Sequence, residues 1–299
     1  MLHASPIERG MPWPSMPPGF QRLRRFAGAA VLGLASCVVS APSDDAALRS
    51  LTLALPSRPV VLLGEVHDSA VQHALRARAL RALVEGGVRP ALLMEQFDRE
   101  RQADLDRVMT RPGATADEVI AAAAPADAST QGWPWPLYRP YIALAFEYRL
   151  PLVATNVSRV DARRIAADGL AAHGFQARVP DDLAAGHARA IVEGHCGLID
   201  AAQASGLVAA QVARDQFMAR AVEAHAARGA VLLAGNGHVR TDLGVPRWLA
   251  PATRARSVSV GMLEASRTPG ASPYDTVVVT PAPPRPDPCE GLTMPRAGG

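Results

Sequence analysis

The chain has 299 residues, of which 48% are apolar and 20% charged; this allows one large folded domain and excludes an intrinsically disordered protein. The net charge is +3, but arginines in the first 36 residues carry that excess, so the remainder gives no support to nucleic-acid binding. All 31 basic residues are arginine, and the lack of lysine excludes Schiff-base chemistry and a Walker-type phosphate loop.

Residues 1–36 predict an export signal. Arginines at positions 22, 24 and 25 precede an apolar stretch, residues 26–34, that is too short for a membrane span. Residues 34–37 read Leu-Ala-Ser-Cys, which is typical of a bacterial lipobox, so Cys37 is the predicted lipidation site and membrane anchor. Cleavage after residues 39–41 is the alternative and would give a secreted or periplasmic protein. Residues 37–54 are predicted to be a tether.

Short apolar runs then alternate with helical patterns. The runs typical of buried strands are residues 59–63, 89–94, 150–155, 230–234, 256–261 and 276–280. Helical spacing is found in residues 69–85, 101–109 and 140–148, and residues 113–132 favour a helix followed by a loop. This alternation predicts an α/β fold with a mostly parallel, doubly wound sheet.

The middle of the chain contains only helical pattern. Residues 158–228 are alanine-rich and are interrupted at Gly174, Pro180 and Gly194. We therefore predict a helical insertion subdomain, which divides the α/β core into residues 55–157 and 229–280. Residues 281–299 form a proline-rich tail.

Two cysteines remain once Cys37 is assigned to the anchor. In an oxidising compartment, Cys196 and Cys289 predict one disulfide that ties the tail to the helical subdomain. The loop is long, which gives a stabilisation on the order of 4 kcal/mol in the chain-entropy model. The alternative is Cys196 as a metal ligand beside His195, although no second ligand follows at a suitable spacing.

Two predicted strands end in the same motif. Residues 60–67 read VVLLGEVH and residues 231–238 read VLLAGNGH, so His67 and His238 each lie three residues after a strand-end glycine. Ligands of open α/β sheets bind beyond the carboxyl ends of the strands. One fold could therefore bring both imidazoles to a single crevice.

Further polar residues end the neighbouring strands, namely Glu65, Glu95 and Asn156. Carboxylates and imidazoles together suit a transition metal or a general acid–base pair. Each residue also has a structural interpretation: Glu65 could cap the next helix, and His67 could hydrogen-bond a loop. The whole set at corresponding strand ends favours a functional crevice.

One helical face carries polar residues at matching spacing. Gln211, Arg214, Asp215 and Met218 fall at i, i+3, i+4 and i+7. This face either is solvated with a local ion pair or roofs the crevice, with Arg214 available for an anionic ligand.

Residues 133–141 read WPWPLYRPY and concentrate the aromatic side chains of a chain that has few. They predict either a rigid loop over the core or a surface for a flat, apolar ligand.

These segments together resemble one protein family. The residues that carry the resemblance are GEVHD at 64–68, MEQF at 94–97, the aromatic segment at 133–141, NVSR at 156–159, QVARD at 211–215 and GNGH at 235–238. The set, within residues 55–265, resembles ChaN-like haem-binding lipoproteins, which look related to Tiki metalloproteases and erythromycin-esterase-like proteins. The resemblance implies an α/β core with a helical subdomain, an outer-membrane lipid anchor facing the periplasm, and haem binding linked to iron uptake.

The resemblance also implies roles for residues. Haem-binding members turn a tyrosine toward the iron, and tyrosinate is one protein ligand of haem iron. The candidates for cofactor binding are Tyr138, Tyr141, Glu95, Asn156, Gln211, Arg214 and Asp215. In Tiki-type members the two motifs and a glutamate are associated with a divalent metal and hydrolysis. By that match Glu65, His67 and His238 are candidate metal ligands or catalytic groups.

Three hypotheses follow. The first is a periplasm-facing lipoprotein that binds haem, with a homodimer around the cofactor and an outer-membrane haem receptor as partners. The second is a metal-dependent hydrolase in which Glu65 is the base and His67 and His238 hold the metal. The third is a structural envelope protein with a vestigial crevice.

Overall fold

The computed structural model describes residues 43–123, 133–265, 272–287 and 289–290. The predicted export signal, the lipidation site at Cys37 and the end of the proline-rich tail lie outside the described residues. The second half of the predicted tether forms helix α1, Asp44–Ala54, which begins after the N-cap Ser43. None of the described helices is both long enough and apolar enough to cross a membrane.

Six strands form one sheet. They are β1 Val60–Leu63, β2 Ala91–Asp98, β3 Leu152–Asn156, β4 Ala230–Leu233, β5 Ser257–Glu264 and β6 Thr276–Thr280. Their order is β3-β2-β4-β1-β5-β6, and every pairing is parallel. The predicted α/β class with a mostly parallel sheet is confirmed.

Helices cover both faces of the sheet. They are α2 Ala70–Glu85, α3 Gln102–Met109, α4 Ala116–Ala123, α5 Trp135–Tyr148, α6 Arg159–Asp168, α7 Asp181–Gly194, α8 Ala201–His225, α9 Asn236–Val239 and α10 Pro251–Ala255. Residues 158–228, all of which the structure describes, contain α6, α7 and α8 and no strand.

The core follows from strand geometry. Successive side chains of a strand face opposite sides of the sheet, so a strand covered on both sides must be apolar throughout. In β1, Val61 and Leu63 pack into the core beneath α1, α2 and α5, whereas Val60 and Leu62 pack beneath α8. The apolar runs of the sequence are thus explained by burial on both faces.

Two elements differ from the sequence prediction. Strand β2 continues to Asp98, because after a register shift Asp98 pairs with Asn156 of β3. Helix α5 begins at Trp135, so the loop interpretation of residues 133–141 is wrong from that residue onward. Pro136 lies in the first turn, where the missing N–H needs no partner, which makes a proline-rich helix start possible.

Candidate functional site

The carboxyl ends of three central strands meet at one edge of the sheet. Asn236, after β4, donates its backbone N–H to the Glu65 carbonyl oxygen at 3.0 Å. The Gly235 N–H donates to the Glu95 Oε2 atom at 2.7 Å, which joins the end of β4 to β2. Parallel strands place their carboxyl ends together, so the strand-end residues become neighbours here.

The first group of side chains surrounds Glu65 and is called the Glu65 cluster; its members are Glu65, His67, His73, Arg76, Tyr138 and Tyr141. Glu65 is buried, and its Oε2 atom pairs with Arg76, which is itself fully buried on α2. Its Oε1 atom accepts a hydrogen bond from the Tyr138 hydroxyl at 2.5 Å. A buried charge is tolerated when it is paired and hydrogen-bonded, and Glu65 is both.

His67 is the member of this cluster that reaches the surface. Its side chain is 43% exposed, and its Nδ1 atom lies 2.9 Å from the Glu65 Oε1 atom. A carboxylate only accepts hydrogen bonds, so Nδ1 carries the proton and Nε2 keeps its lone pair. The ring meets Trp133 edge-on, with 4.8 Å between the ring centroids.

Gly235 makes room for this imidazole. A Cβ atom at position 235 would lie 2.8 Å from both the Nε2 and Cε1 atoms of His67, closer than such contacts occur. The second strand-end motif therefore supplies the space that the histidine of the first motif occupies.

His73 is buried behind His67. Its Nε2 atom donates to the His67 carbonyl oxygen at 3.0 Å, and its Nδ1 atom lies 3.1 Å from the Tyr141 hydroxyl. Burial lowers the pKa of His73 to about 4. His73 is therefore neutral at neutral pH and fixes the backbone of the loop that carries His67.

The second group surrounds His238 and is called the His238 cluster; its members are His238, Glu95, Asp215, His187 and Gln211. The Nδ1 atom of His238 lies 2.5 Å from the Asp215 Oδ1 atom, and its Nε2 atom lies 3.4 Å from the Glu95 Oε1 atom. All three residues are buried. One imidazole thus lies between two carboxylates.

The charges of this cluster follow from its geometry. Burial alone would lower the pKa of His238, but the charges of Glu95 and Asp215 raise it to about 10. Burial alone would raise the pKa of Glu95, but the charge and hydrogen bond of His238 lower it to about 2. At neutral pH the centre is therefore an imidazolium held against an ionised Glu95.

Asp215 and His187 form the inner end of the cluster. Burial raises the pKa of Asp215 despite the attraction of His238. The His187 Nε2 atom lies 3.6 Å from the Asp215 Oδ2 atom, and burial lowers the pKa of His187. The side-chain nitrogen of Gln211 lies 3.2 Å from the His238 Nδ1 atom.

Asn156 and Arg214 lie apart from both clusters in their contacts. The Asn156 Nδ2 atom donates to the Asp98 Oδ1 atom at 3.1 Å, and the Arg214 Nε atom donates to the Val157 carbonyl oxygen at 3.4 Å. Burial raises the pKa of Asp98, although the charge of Arg214 opposes this. These residues support the end of β3 rather than joining the two central groups.

The predicted metal ligands do not form one ligand set. In the part of the chain that the structure describes, no three His, Cys, Asp or Glu side chains are placed to hold a metal ion. Glu65 is engaged by Arg76, and the Nδ1 atom of His238 is engaged by Asp215. These ion pairs engage two of the three side chains, and the assignment of Glu65, His67 and His238 as metal ligands stays a prediction.

The two predicted tyrosine ligands lie inside the Glu65 cluster, and their role as iron ligands stays a prediction. Tyr138 and Tyr141 are fully buried, and their hydroxyls bond to Glu65 and to the His73 carbonyl oxygen. Burial raises the pKa of both hydroxyls, which disfavours a tyrosinate. Neither side chain presents an oxygen to an external ligand; both hold the Glu65 cluster together.

Arg76 and His187 were not identified from the sequence as parts of the site, and neither was the role of Gly235. A signal existed for Arg76, which lies at helical spacing with the buried Ala79, Leu80 and Leu83. An arginine on the apolar face of a helix needs a buried anion as partner. Gly235 was identified as the glycine of the second motif, but the space that it leaves for His67 depends on a ring from another strand end.

The tail passes beside the loop that carries His67. Arg285 donates from Nε to the Asp68 Oδ2 atom at 2.8 Å and from Nη1 to the Glu264 Oε2 atom at 2.6 Å. Cys196 and Cys289 form a disulfide, which leaves neither sulfur as a thiolate for a metal. The tail is thus held by Arg285 next to the carboxyl edge of the sheet, and by the disulfide at Cys289.

Comparison with known proteins identifies the family to which the chain belongs. Residues 51–249 match the family model described as "Haem-binding uptake, Tiki superfamily, ChaN". A similar solved structure, described as cofacial heme binding to ChaN of Campylobacter jejuni, is 19% identical and has a TM-score of 0.60. The alignment covers 78% of this chain and 90% of that one, which shows a shared fold.

Two further solved structures are less similar to this chain. A mutant of the erythromycin esterase EreC in its open conformation is 16% identical, with a TM-score of 0.44 and 72% of each chain covered. The type III effector HopBA1 is 13% identical, with a TM-score of 0.45, 79% of this chain covered and 93% of that one. These two TM-scores are too low to support a conclusion about this chain. No curated protein matches the chain.

Proposed function

Because the chain belongs to the ChaN family of haem-binding uptake proteins in the Tiki superfamily, we propose that it binds haem as cargo at the carboxyl edge of its sheet, with His67 as the iron ligand. The family match confirms the resemblance that the sequence motifs indicated. It supports haem binding linked to uptake as the function of the domain.

We choose His67 as the iron ligand because its side chain is more exposed than those of the other histidines at this edge. The other histidines at this edge, His73, His187 and His238, are 2%, 4% and 7% exposed. His67 is half exposed, and its Nδ1 atom is held by a buried carboxylate, so Nε2 is the nitrogen with a free lone pair. Neutral imidazole is a common protein ligand of haem iron, so these residues fit the group.

The surrounding side chains support that role. A carboxylate that accepts the Nδ1 proton orients the ring and makes Nε2 a better donor to iron. Arg76 and Tyr138 in turn hold the Glu65 carboxylate. Trp133, edge-on to the imidazole, offers an apolar surface beside it for a flat macrocycle.

Location and assembly are part of the proposal. The lipobox at Cys37 supports an outer-membrane lipoprotein that faces the periplasm, and the Cys196–Cys289 disulfide suits that oxidising compartment. The relative from Campylobacter jejuni is described as binding heme cofacially. We propose that two copies of this chain share their haem edges, and that an outer-membrane haem receptor is the partner.

Hemin titration of the full-length chain tests the ligand. We expect a saturable Soret shift in the wild type that is lost in His67→Ala and restored by added imidazole. His195→Ala, an exposed histidine elsewhere on the surface, is the matched control and should titrate as the wild type does.

Two results would contradict the proposal. A Soret shift that survives His67→Ala but is lost in Tyr138→Phe would place the iron elsewhere. The absence of any shift in the wild type, together with one equivalent of zinc or manganese in elemental analysis, would favour the metal-dependent hydrolase instead.

A further inference from the structure

A cavity lies along the edge strand β3 and is lined by none of the side chains of the two clusters. Its volume is about 1340 Å³, larger than most small-molecule sites. Helix α3 and the end of α5 form one wall, and α8 forms the other. Its apolar lining includes Met109, Phe146, Leu152, Val153 and Phe217. This cavity is called the β3 groove.

The groove is not suited to a peptide strand. An edge strand binds another strand through its outward N–H and C=O groups. Here Gln102 occupies them: its Nε2 atom donates to the Leu152 carbonyl oxygen at 3.1 Å, and the Ala154 N–H donates to its Oε1 atom at 2.7 Å. With these backbone groups satisfied, side chains alone can hold a ligand.

The charged residues of the groove are mostly arginines. Arg99, Arg111, Arg149 and Arg220 line it, against the single carboxylate of Asp106. Arg99 and Arg111 are engaged by Asp161 and Glu118, and Arg220 donates to the Gly174 carbonyl oxygen.

Arg149 differs from the other three. It is exposed and makes no ion pair with the described residues, so its charge is available. It also caps α5 in the left-handed conformation, with φ of 53°, where glycine or asparagine is usual. An unusual residue for the backbone thus places an unneutralised cation beside an apolar groove.

We propose that the β3 groove binds a long-chain fatty acid, with its carboxylate at Arg149 and its hydrocarbon chain along Phe146, Leu152 and Phe217. Apolar walls with one convergent charge are the usual form of a site for an amphipathic anion. A tetrapyrrole shares this chemistry, since it joins an apolar body to carboxylates, and the test below separates the two. The proposal does not depend on His67 or on haem.

Calorimetric titration of the full-length chain with oleate tests the groove. We expect saturable binding of one oleate per chain and binding of oleyl alcohol that is at least about tenfold weaker, because the alcohol lacks the anion. Arg149→Gln should weaken oleate roughly fivefold and leave oleyl alcohol unchanged. Arg78→Gln, the same change at an exposed arginine on α2, is the control and should have no effect.

A bulky residue in the groove tests its location. Ala224 lines the groove and is exposed, so Ala224→Trp fills space without displacing the core. It should abolish oleate binding, whereas Ala185→Trp on the exposed face of α7 should not. The absence of saturable oleate binding in the wild type, or oleate binding unchanged by Ala224→Trp, would overturn the proposal.

Hemin separates this proposal from the proposed function. Loss of hemin binding in His67→Ala with oleate binding intact supports both assignments. Loss of hemin binding in Ala224→Trp, with retention in His67→Ala and competition between hemin and oleate, would make the groove the haem site and overturn the fatty-acid assignment together with the role of His67.

Discussion

The two Gly-x-x-His strand ends have the same sequence pattern and opposite surroundings. After β1, His67 is half exposed, and the buried charge beside it, on Glu65, is already paired with Arg76. After β4, His238 is buried between two carboxylates and is itself the cation that neutralises them.

The shared motif specifies the position of each imidazole but not its surroundings. The pattern places an imidazole at the carboxyl edge of the sheet, but neighbouring elements decide its task. Helix α2 supplies an arginine to the Glu65 cluster, which leaves the imidazole free for an external ligand. Strand β2 and α8 supply the carboxylates of Glu95 and Asp215 to the His238 cluster and no arginine, so its imidazole is committed to the core.

Alanine at the two histidines should separate the clusters most strongly. We expect His238→Ala to lower the free energy of unfolding by about 3–5 kcal/mol, because two buried carboxylates lose their cation. His67→Ala should cost about 1 kcal/mol or less, because Arg76 and Tyr138 still hold Glu65. Urea unfolding monitored by circular dichroism measures both values.

His238→Gln provides a second variant if the alanine protein does not fold. Equal losses of stability in the variants at positions 67 and 238 would contradict the distinction between a ligand-binding and a structural imidazole.

The two clusters should also respond to pH in opposite directions. The pKa of His238 in the folded state, about 10, exceeds its ordinary value, so its contribution is complete below pH 6.5 and is lost as the pH rises through 10. The pKa of His73 is about 4, so the unfolded chain protonates first, and stability falls as the pH falls from 6.5 to 4.

Unfolding free energies between pH 4 and 10 check this prediction. The difference in unfolding free energy between wild type and His238→Gln should shrink above neutral pH. The difference in unfolding free energy between wild type and His73→Gln should shrink below neutral pH. A dependence of both differences on the same pH range would contradict the assignment of charges.

Gly235→Ala is expected to have a small effect on stability and the most selective effect on the site. The backbone φ of −62° accepts alanine, and the N–H bond to Glu95 remains, but the new Cβ meets the His67 ring. We expect a loss of about 1 kcal/mol, since the half-exposed ring can move outward. Hemin titration should show weakened binding, and the pH dependence due to His238 should be unchanged. A changed dependence above neutrality would mean that the clusters are coupled.

The fold class and several residues at the carboxyl edge of the sheet could be predicted from the sequence. Apolar runs such as residues 60–63 report burial on both faces, which is the property that defines a parallel sheet. The positions of Glu65 and His238 just after their strands followed from the same runs, whereas Glu95, predicted to end its strand, lies within β2. Helical spacing placed Gln211 and Asp215 on one face of a helix, and both now lie beside His238.

The sequence could not show which side chains pair with each other. That Tyr138 bonds to Glu65 depends on α5 starting at Trp135, which the prolines of this segment concealed. That Asp98 partners Asn156 depends on a register shift between β2 and β3. Both pairings depend on tertiary structure, and the start of α5 also explains why Tyr138 and Tyr141 are buried beside Glu65 and His73.

The disulfide gives the chain an unusual covalent topology. The 93-residue separation of Cys196 and Cys289 makes a closed ring that contains α8, β4, β5 and β6, while β1, β2 and β3 belong to the open part of the polypeptide. In the sheet, β4 of the ring lies between β2 and β1 of the open part. A polypeptide stretched from its two ends would therefore transmit force past the ring, and a protease cut inside it would leave both pieces joined.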